Sequence, residues 1–212
     1  MAHDGQAEES PPHDPRFTID EDSVFVEIGR YTFEEFIKVV ESFHGYQSPG
    51  VILGGIMVSY AMEQLPGGVL FDAISETAPC LPDAIQLLTP CTFGNGWLKV
   101  INLGRFALSL YEKHGGKGVR VFVDPAKLDG RKEIRNWLFK LLPKSEQDQN
   151  RLIAEIGQAG RSVLGLSHIQ LKAEHLGKTK RGSIVECTMC GEPYPQRDGP
   201  VCLACQGQSP YA

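Results

Sequence analysis

Two Cys-x-x-Cys pairs near the end of a 212-residue chain, Cys187-Thr188-Met189-Cys190 and Cys202-Leu203-Ala204-Cys205, constrain its folding more than any other feature. Two intervening residues let a tight turn aim both thiols of a pair at one ion, and Gly191 relieves the backbone just after the first pair. Four thiolates close a tetrahedral shell with no open position, which suits structural zinc rather than catalysis. A redox dithiol or an iron–sulfur cluster is the competing reading. A segment of about 26 residues cannot fold without the ion, so metal and fold are expected together. The spacing predicts a zinc module over 187–212, of treble-clef or ribbon-like form.

The rest of the chain is long enough to bury a core without staples. Six cysteines in 212 residues are too few for a disulfide scaffold. Lys and Arg number 21 against 26 Asp and Glu, a net charge of −5, which gives no general case for nucleic acid. The one basic cluster is Lys172, Lys178, Lys180 and Arg181, while the finger sets Arg197 against Glu186, Glu192 and Asp198. Protein contact is therefore the expected role of the finger. The acidic N-terminus lacks the basic and apolar regions of a secretory signal. The most apolar long window, Val51 to Leu65, is interrupted by Gly54, Gly55 and Glu63 and falls short of the ~20 residues a bilayer needs. A cytoplasmic protein without membrane contact is expected.

Residues 1–16, with Pro11, Pro12 and Pro15 among acids, predict a poorly ordered tail. Thr32 and Glu35 form a capping box ahead of Phe33, Phe36, Ile37, Val40 and Phe43, which recur at helical spacing. Ser48-Pro49 then reads as the N-cap and first-turn proline of a second helix running to about Leu65. An apolar run from Val69 to Ser75 and a helix from Pro82 to Leu88 follow. Trp97 to Asn102, Phe106 to Tyr111 and Gly118 to Val123 read as strands of an antiparallel meander. Two further helices are expected, one from Asp129 to Pro143 and one capped by Ser145 with Asp148 and running toward Leu164. Without a regular βαβ alternation the fold class is α+β, a mixed helix and antiparallel-sheet core over 17–164. Three glycines and the basic cluster make 165–186 a linker. Gly94-Asn95-Gly96 and His114-Gly115-Gly116 read as turns, because no phosphate-loop pattern accompanies them.

Cys80 and Cys91, each taken alone, read as buried small hydrophobes. Their order among other residues points elsewhere. Phe43-His44-Gly45 through Pro49-Gly50, then Glu76-Thr77, Cys80 and Asp83-Ala84-Ile85-Gln86, then Cys91-Thr92-Phe93-Gly94, and finally the two cysteine pairs form an ordered set. This set resembles the FmdE family of formylmethanofuran dehydrogenase over about residues 33–125 and 186–206. The resemblance implies a dimerising α+β core, a zinc finger, and a tie to the molybdenum or tungsten enzyme that interconverts carbon dioxide and formylmethanofuran.

It also implies a core pocket in which His44, Cys80, Ser48 and Asp83 carry any chemistry, with Cys91 and Glu76 near enough to hold or tune a cofactor. The family pattern at the first motif is His-Gly-His-x-Cys-Pro-Gly, and this chain has Tyr46 and Ser48 in place of its second histidine and its cysteine. A cysteine at a helix N-terminus is a good thiolate ligand, whereas a serine keeps the cap and loses the thiolate. Zinc in the finger and a second, weaker metal at His44 and Cys80 are the implied cofactors. A homodimer, for which Gly54 and Gly55 allow close backbone approach, and subunits of the molybdenum or tungsten enzyme are the implied partners. An accessory or regulatory role is expected. The alternative is an independent metal-dependent enzyme acting on a small molecule through His44 and Cys80.

Overall fold

The computed structural model describes residues 27–177 and 182–211. The expected tail, and Lys178, Lys180 and Arg181 of the basic cluster, lie outside the described residues.

Helix α1, Phe33–His44, starts at the predicted capping box: the Glu35 amide donates to Thr32 Oγ1 at 3.2 Å and the Thr32 amide to Glu35 Oε2 at 2.9 Å. It buries Phe33, Phe36 and Val40 and ends at Gly45, whose φ of 90° is open to glycine without strain. Helix α2, Pro49–Glu63, is apolar on every side, so it is buried all round at the centre of the molecule. Ile52, Leu53, Ile56 and Met57 are wholly inaccessible, and each stabilises the fold by roughly 1.5–3 kcal/mol relative to exposure.

The glycines of α2 serve this packing. A Cβ on Gly54 would lie 2.8 Å from Ala84, and one on Gly55 would overlap the Phe36 ring. Both small residues are thus consumed within the chain, and the expectation that they line a face between protomers is withdrawn.

The remaining elements are strand β1 (Phe71–Ser75), helix α3 (Leu81–Leu88), strands β2 (Leu98–Val100), β3 (Ala107–Glu112) and β4 (Lys117–Val123), helices α4 (Lys132–Leu138) and α5 (Gln149–Ala159), and strand β5 (Leu164–Gln170). The five strands form one sheet in the order β2-β1-β3-β4-β5. Helix α2 packs on β3 and β4, with α3 and α5 beside it and α1 behind. Leu108, Leu110, Val119 and Val121 enter this core from the sheet.

Two expectations change. Strand β2 leaves the meander and pairs parallel with β1, in the register Ala73↔Leu98 and Ser75↔Val100. Helix α3 lies between them in sequence, and a crossover of this kind returns a strand parallel rather than antiparallel. The segment expected to be a linker from residue 165 begins with β5, paired antiparallel with β4 along its whole length. Gly165, which suggested irregular chain, is there because the Phe122 ring of β4 lies directly over it. Beyond β5, Lys99 of β2 ties the chain down by donating to the carbonyls of His175 and Gly177 at 2.5 and 2.8 Å.

The C-terminal part holds a two-stranded antiparallel hairpin, β6 (Ile184–Glu186) and β7 (Pro193–Pro195). Its own small cluster of Cys187, Tyr194 and Cys202 is separate from the main core. The class is α+β, with the cysteine module after the core, as the sequence predicts.

Candidate functional site

The cysteine module is built by its turns. The Cys187 amide donates to the Glu192 carbonyl at 3.0 Å and the Gly191 amide returns to the Cys187 carbonyl at 2.8 Å, with Gly191 at φ 76°. This knuckle turns the first pair of thiols toward the second. The ligand atoms of Cys187, Cys190, Cys202 and Cys205 all lie within 4.8 Å of one another, and Cys190 Sγ is 3.7 Å from Cys202 Sγ. A tetrahedron with zinc–sulfur bonds of ~2.3 Å has edges of about 3.8 Å, so the cluster fits zinc.

The electrostatics agree. The amides of Cys202 and Cys190 lower Cys187 to about 6, whereas the Cys202 and Cys190 thiols push Cys205 up to about 12. Four sulfurs this close cannot ionise together without a cation among them. All four predicted ligands are in place. Among the described residues no other group of three or more His, Cys, Asp or Glu converges in this way.

The core site forms where the break between α1 and α2 meets the start of α3. Ser48 precedes Pro49 as predicted and is 1% exposed, but its hydroxyl makes no cap to α2. Its Oγ lies 3.6 Å from Cys80 Sγ instead. Cys80 caps α3 at φ 64°, ψ −58°, a conformation costly for a side chain with a Cβ. Gly50 makes room for it, because a Cβ there would sit 2.7 Å from Cys80 Sγ and 3.4 Å from the Trp137 ring. Burial raises the Cys80 thiol above its ordinary value of 9.0, the Ser48 hydrogen bond opposes this, and the charge of Asp83 adds to it. The sulfur is a thiol at neutral pH, not a thiolate.

His44, at the end of α1, meets Asp83 in the first turn of α3, with Nδ1 and Oδ2 2.6 Å apart. If Nδ1 donates its proton to the carboxylate, Nε2 keeps a free lone pair for a proton or an ion. The His44 ring centroid lies 4.9 Å from that of Tyr46. The structure therefore brings the four core residues together as two pairs at the N-terminal end of α3.

It does not bring in the other two. Cys91 follows the opposite end of α3, and eight residues of helix span about 12 Å, far beyond a shared ligand shell. It is wholly buried, its Sγ donates to the Phe71 carbonyl at 3.5 Å, and burial pushes its thiol to about 11. That is the bland reading of a core cysteine. Glu76 is engaged elsewhere as well. Its carboxylate accepts from Arg120 Nε at 2.6 Å and Nη2 at 2.8 Å, and from Arg105 Nε at 2.8 Å. Arg120 lies on β4 and Arg105 just before β3, remote in sequence from Glu76, and nothing local in the chain announces the pairing.

A cavity of about 670 Å³ opens beside the Ser48–Cys80 contact, and Ser48, Gly50 and Cys80 line it together with Tyr46, Trp137 and Lys140. Trp137 and Lys140 escape sequence reasoning, since Trp137 reads there only as part of the apolar side of a helix.

Residues 43–173 match the family described as FmdE, molybdenum formylmethanofuran dehydrogenase operon, and residues 178–212 match the FmdE treble clef zinc finger. A crystal structure of an FmdE-like protein of the tungsten formylmethanofuran dehydrogenase from Syntrophus aciditrophicus is 53% identical, covers 89% of this chain and 99% of its own, and superposes with a TM-score of 0.83. A probable S-adenosyl-L-methionine-binding protein of Archaeoglobus fulgidus is 33% identical over 192 residues, covering 79% of this chain. The chain spans 51% of the length of that relative. No helix among the described residues is long and apolar enough to cross a membrane.

Proposed function

The chain belongs to the FmdE family, and on that premise we propose that it is a metal-binding accessory or regulatory protein of the FmdE kind, with a structural zinc in its finger and a receiving pocket at Ser48 and Cys80. The observation that carries the core part of this reading is the 3.6 Å contact between Ser48 Oγ and Cys80 Sγ. A cysteine at position 48 would place a second sulfur beside Cys80, with the His44–Asp83 pair on the same end of α3 to complete a borderline-soft shell. Serine removes that ligand, so the core takes only a weak, exchangeable ion in this chain. The finger docks a partner protein or a second protomer, and a homodimer belongs to the same reading.

An independent enzyme working through His44 and Cys80 is less well supported, because burial keeps the Cys80 sulfur protonated and Ser48 has no base beside it. The name of the archaeal relative points to S-adenosyl-L-methionine, whose sulfonium is a cation. The described residues lining the cavity include no carboxylate to face it.

Cobalt(II) titration of the zinc-loaded protein tests the metal reading. The Ser48→Cys variant is expected to gain near-ultraviolet thiolate-to-cobalt absorption that the unmodified chain lacks, and His44→Ala in that background is expected to weaken it. No gain in Ser48→Cys would remove the core metal site from the account.

A further inference from the structure

The wall of the core cavity is chemically lopsided. In a chain with 26 acidic and 21 basic side chains, the described residues lining this cavity include Lys140 and Lys144 and no Asp or Glu. The rest is mostly aromatic and aliphatic, with Tyr46 and Trp137 among Leu141, Leu142 and Leu152. The Lys144 ammonium stands 5.9 Å from the Tyr46 ring centroid, and the edge of Trp137 packs over Gly50 at the start of α2. Rings and cations therefore share one space. At about 670 Å³ the cavity has the size of sites that enclose small organic molecules.

Backbone strain marks the same place. Among the described residues only Cys80 and Lys140 hold positive φ without being glycine, at 64° and 52°, and both line this cavity. Such conformations each cost of order 1–3 kcal/mol and cluster where a chain must present groups to a ligand. Lys140 is held there by the turn after α4, its amide donating to the Trp137 carbonyl at 3.3 Å while the Leu141 amide donates to that of Asn136 at 2.9 Å. The turn places a lysine one step beyond the helix that supplies the tryptophan.

From this we infer that the cavity binds a small, flat aromatic or heteroaromatic carboxylate, its ring against Trp137 and Tyr46 and its anionic group between Lys140 and Lys144. The inference rests on the pocket assigned above and names the class of molecule it receives. A planar ring matches the faces and edges of the two aromatic side chains. A carboxylate is the charge that two lysines and an acid-free lining recognise, and desolvation in a partly enclosed site strengthens that attraction.

The test follows the Trp137 indole N–H of the full-length, zinc-loaded chain by ¹⁵N NMR, with no second metal added. The probes are 1-naphthoate, its uncharged counterpart 1-naphthamide, and S-adenosyl-L-methionine. Naphthoate is expected to shift the Trp137 resonance saturably and to bind at least 5-fold more tightly than naphthamide. The Lys140→Gln/Lys144→Gln variant is expected to abolish that gap and leave naphthamide binding unchanged, which also shows that the pocket remains folded. Equal affinity for the two probes, no shift of Trp137, an unchanged gap in the double variant, or tighter binding of S-adenosyl-L-methionine than of naphthoate would each overturn the inference. Because no core metal takes part, failure here leaves the cobalt result for Ser48→Cys standing, and failure there leaves this one standing.

Discussion

At the scale of single residues, the fold turns on a few close approaches. Gly50 lets α2 begin against Cys80, which is itself fixed in a strained conformation and cannot step aside. Replacing Gly50 by Ala is expected to destabilise the protein by about 1–2 kcal/mol despite the better helix propensity, because overpacking outweighs it. Urea unfolding followed by circular dichroism checks this. Glu76 offers a second test. Burial drives its carboxyl up, but the hydrogen bonds and charges of Arg120 and Arg105 more than compensate and hold it below the ordinary value of 4.5. A depressed carboxyl contributes stability above its unfolded value and loses it as the pH falls through the folded one. Glu76→Gln is therefore expected to cost toward the low end of ~3–5 kcal/mol at neutral pH, since Arg120 retains some contact with water, and to flatten the loss of stability below about pH 4.5. The four finger cysteines and the His44–Asp83 pair were legible in the sequence from spacing and order. The engagement of Glu76 was not, because its arginine partners come from strands that only folding brings near.

At the scale of elements, local signals were reliable where they were self-contained. Thr32 with Glu35 and Ser48 with Pro49 mark helix starts that depend on neighbouring residues alone, and α1 and α2 begin there. Asp148 likewise caps α5 by accepting from the Arg151 amide at 3.0 Å. Asp148→Ala is expected to cost about 1 kcal/mol in thermal or denaturant unfolding. Strand pairing was less legible. The partner of β2 depends on the path of α3, and β5 was hidden by Gly165, whose missing side chain admits the Phe122 ring from the neighbouring strand. Hydrogen exchange distinguishes strand from linker at this position. The amides of Leu164–Gln170 that bond to β4 are expected to exchange with the sheet, and exchange as fast as an open loop would contradict the pairing.

At the scale of the whole molecule, the chain combines a core that folds on apolar burial with a module organised by four sulfurs. The core centres on one buried helix and needs no ion for its stability, whereas the module buries only Cys187, Tyr194 and Cys202. Chelation of zinc is therefore expected to unfold residues 182–211 and to leave the five-stranded sheet intact. The sequence made this division legible, while the cavity beside Cys80 was not, because its lining comes from the break before α2, the start of α3, the turn after α4 and the start of α5. The central claim is that the finger holds the resident metal and that the core, lacking a thiolate at position 48, holds none tightly. Elemental analysis of the purified chain beside its Cys190→Ser variant tests this most directly. One zinc per chain falling to none in the variant, with the core still folded, is the predicted result; two tightly held metals in the unmodified chain, or a full zinc retained by Cys190→Ser, would contradict it.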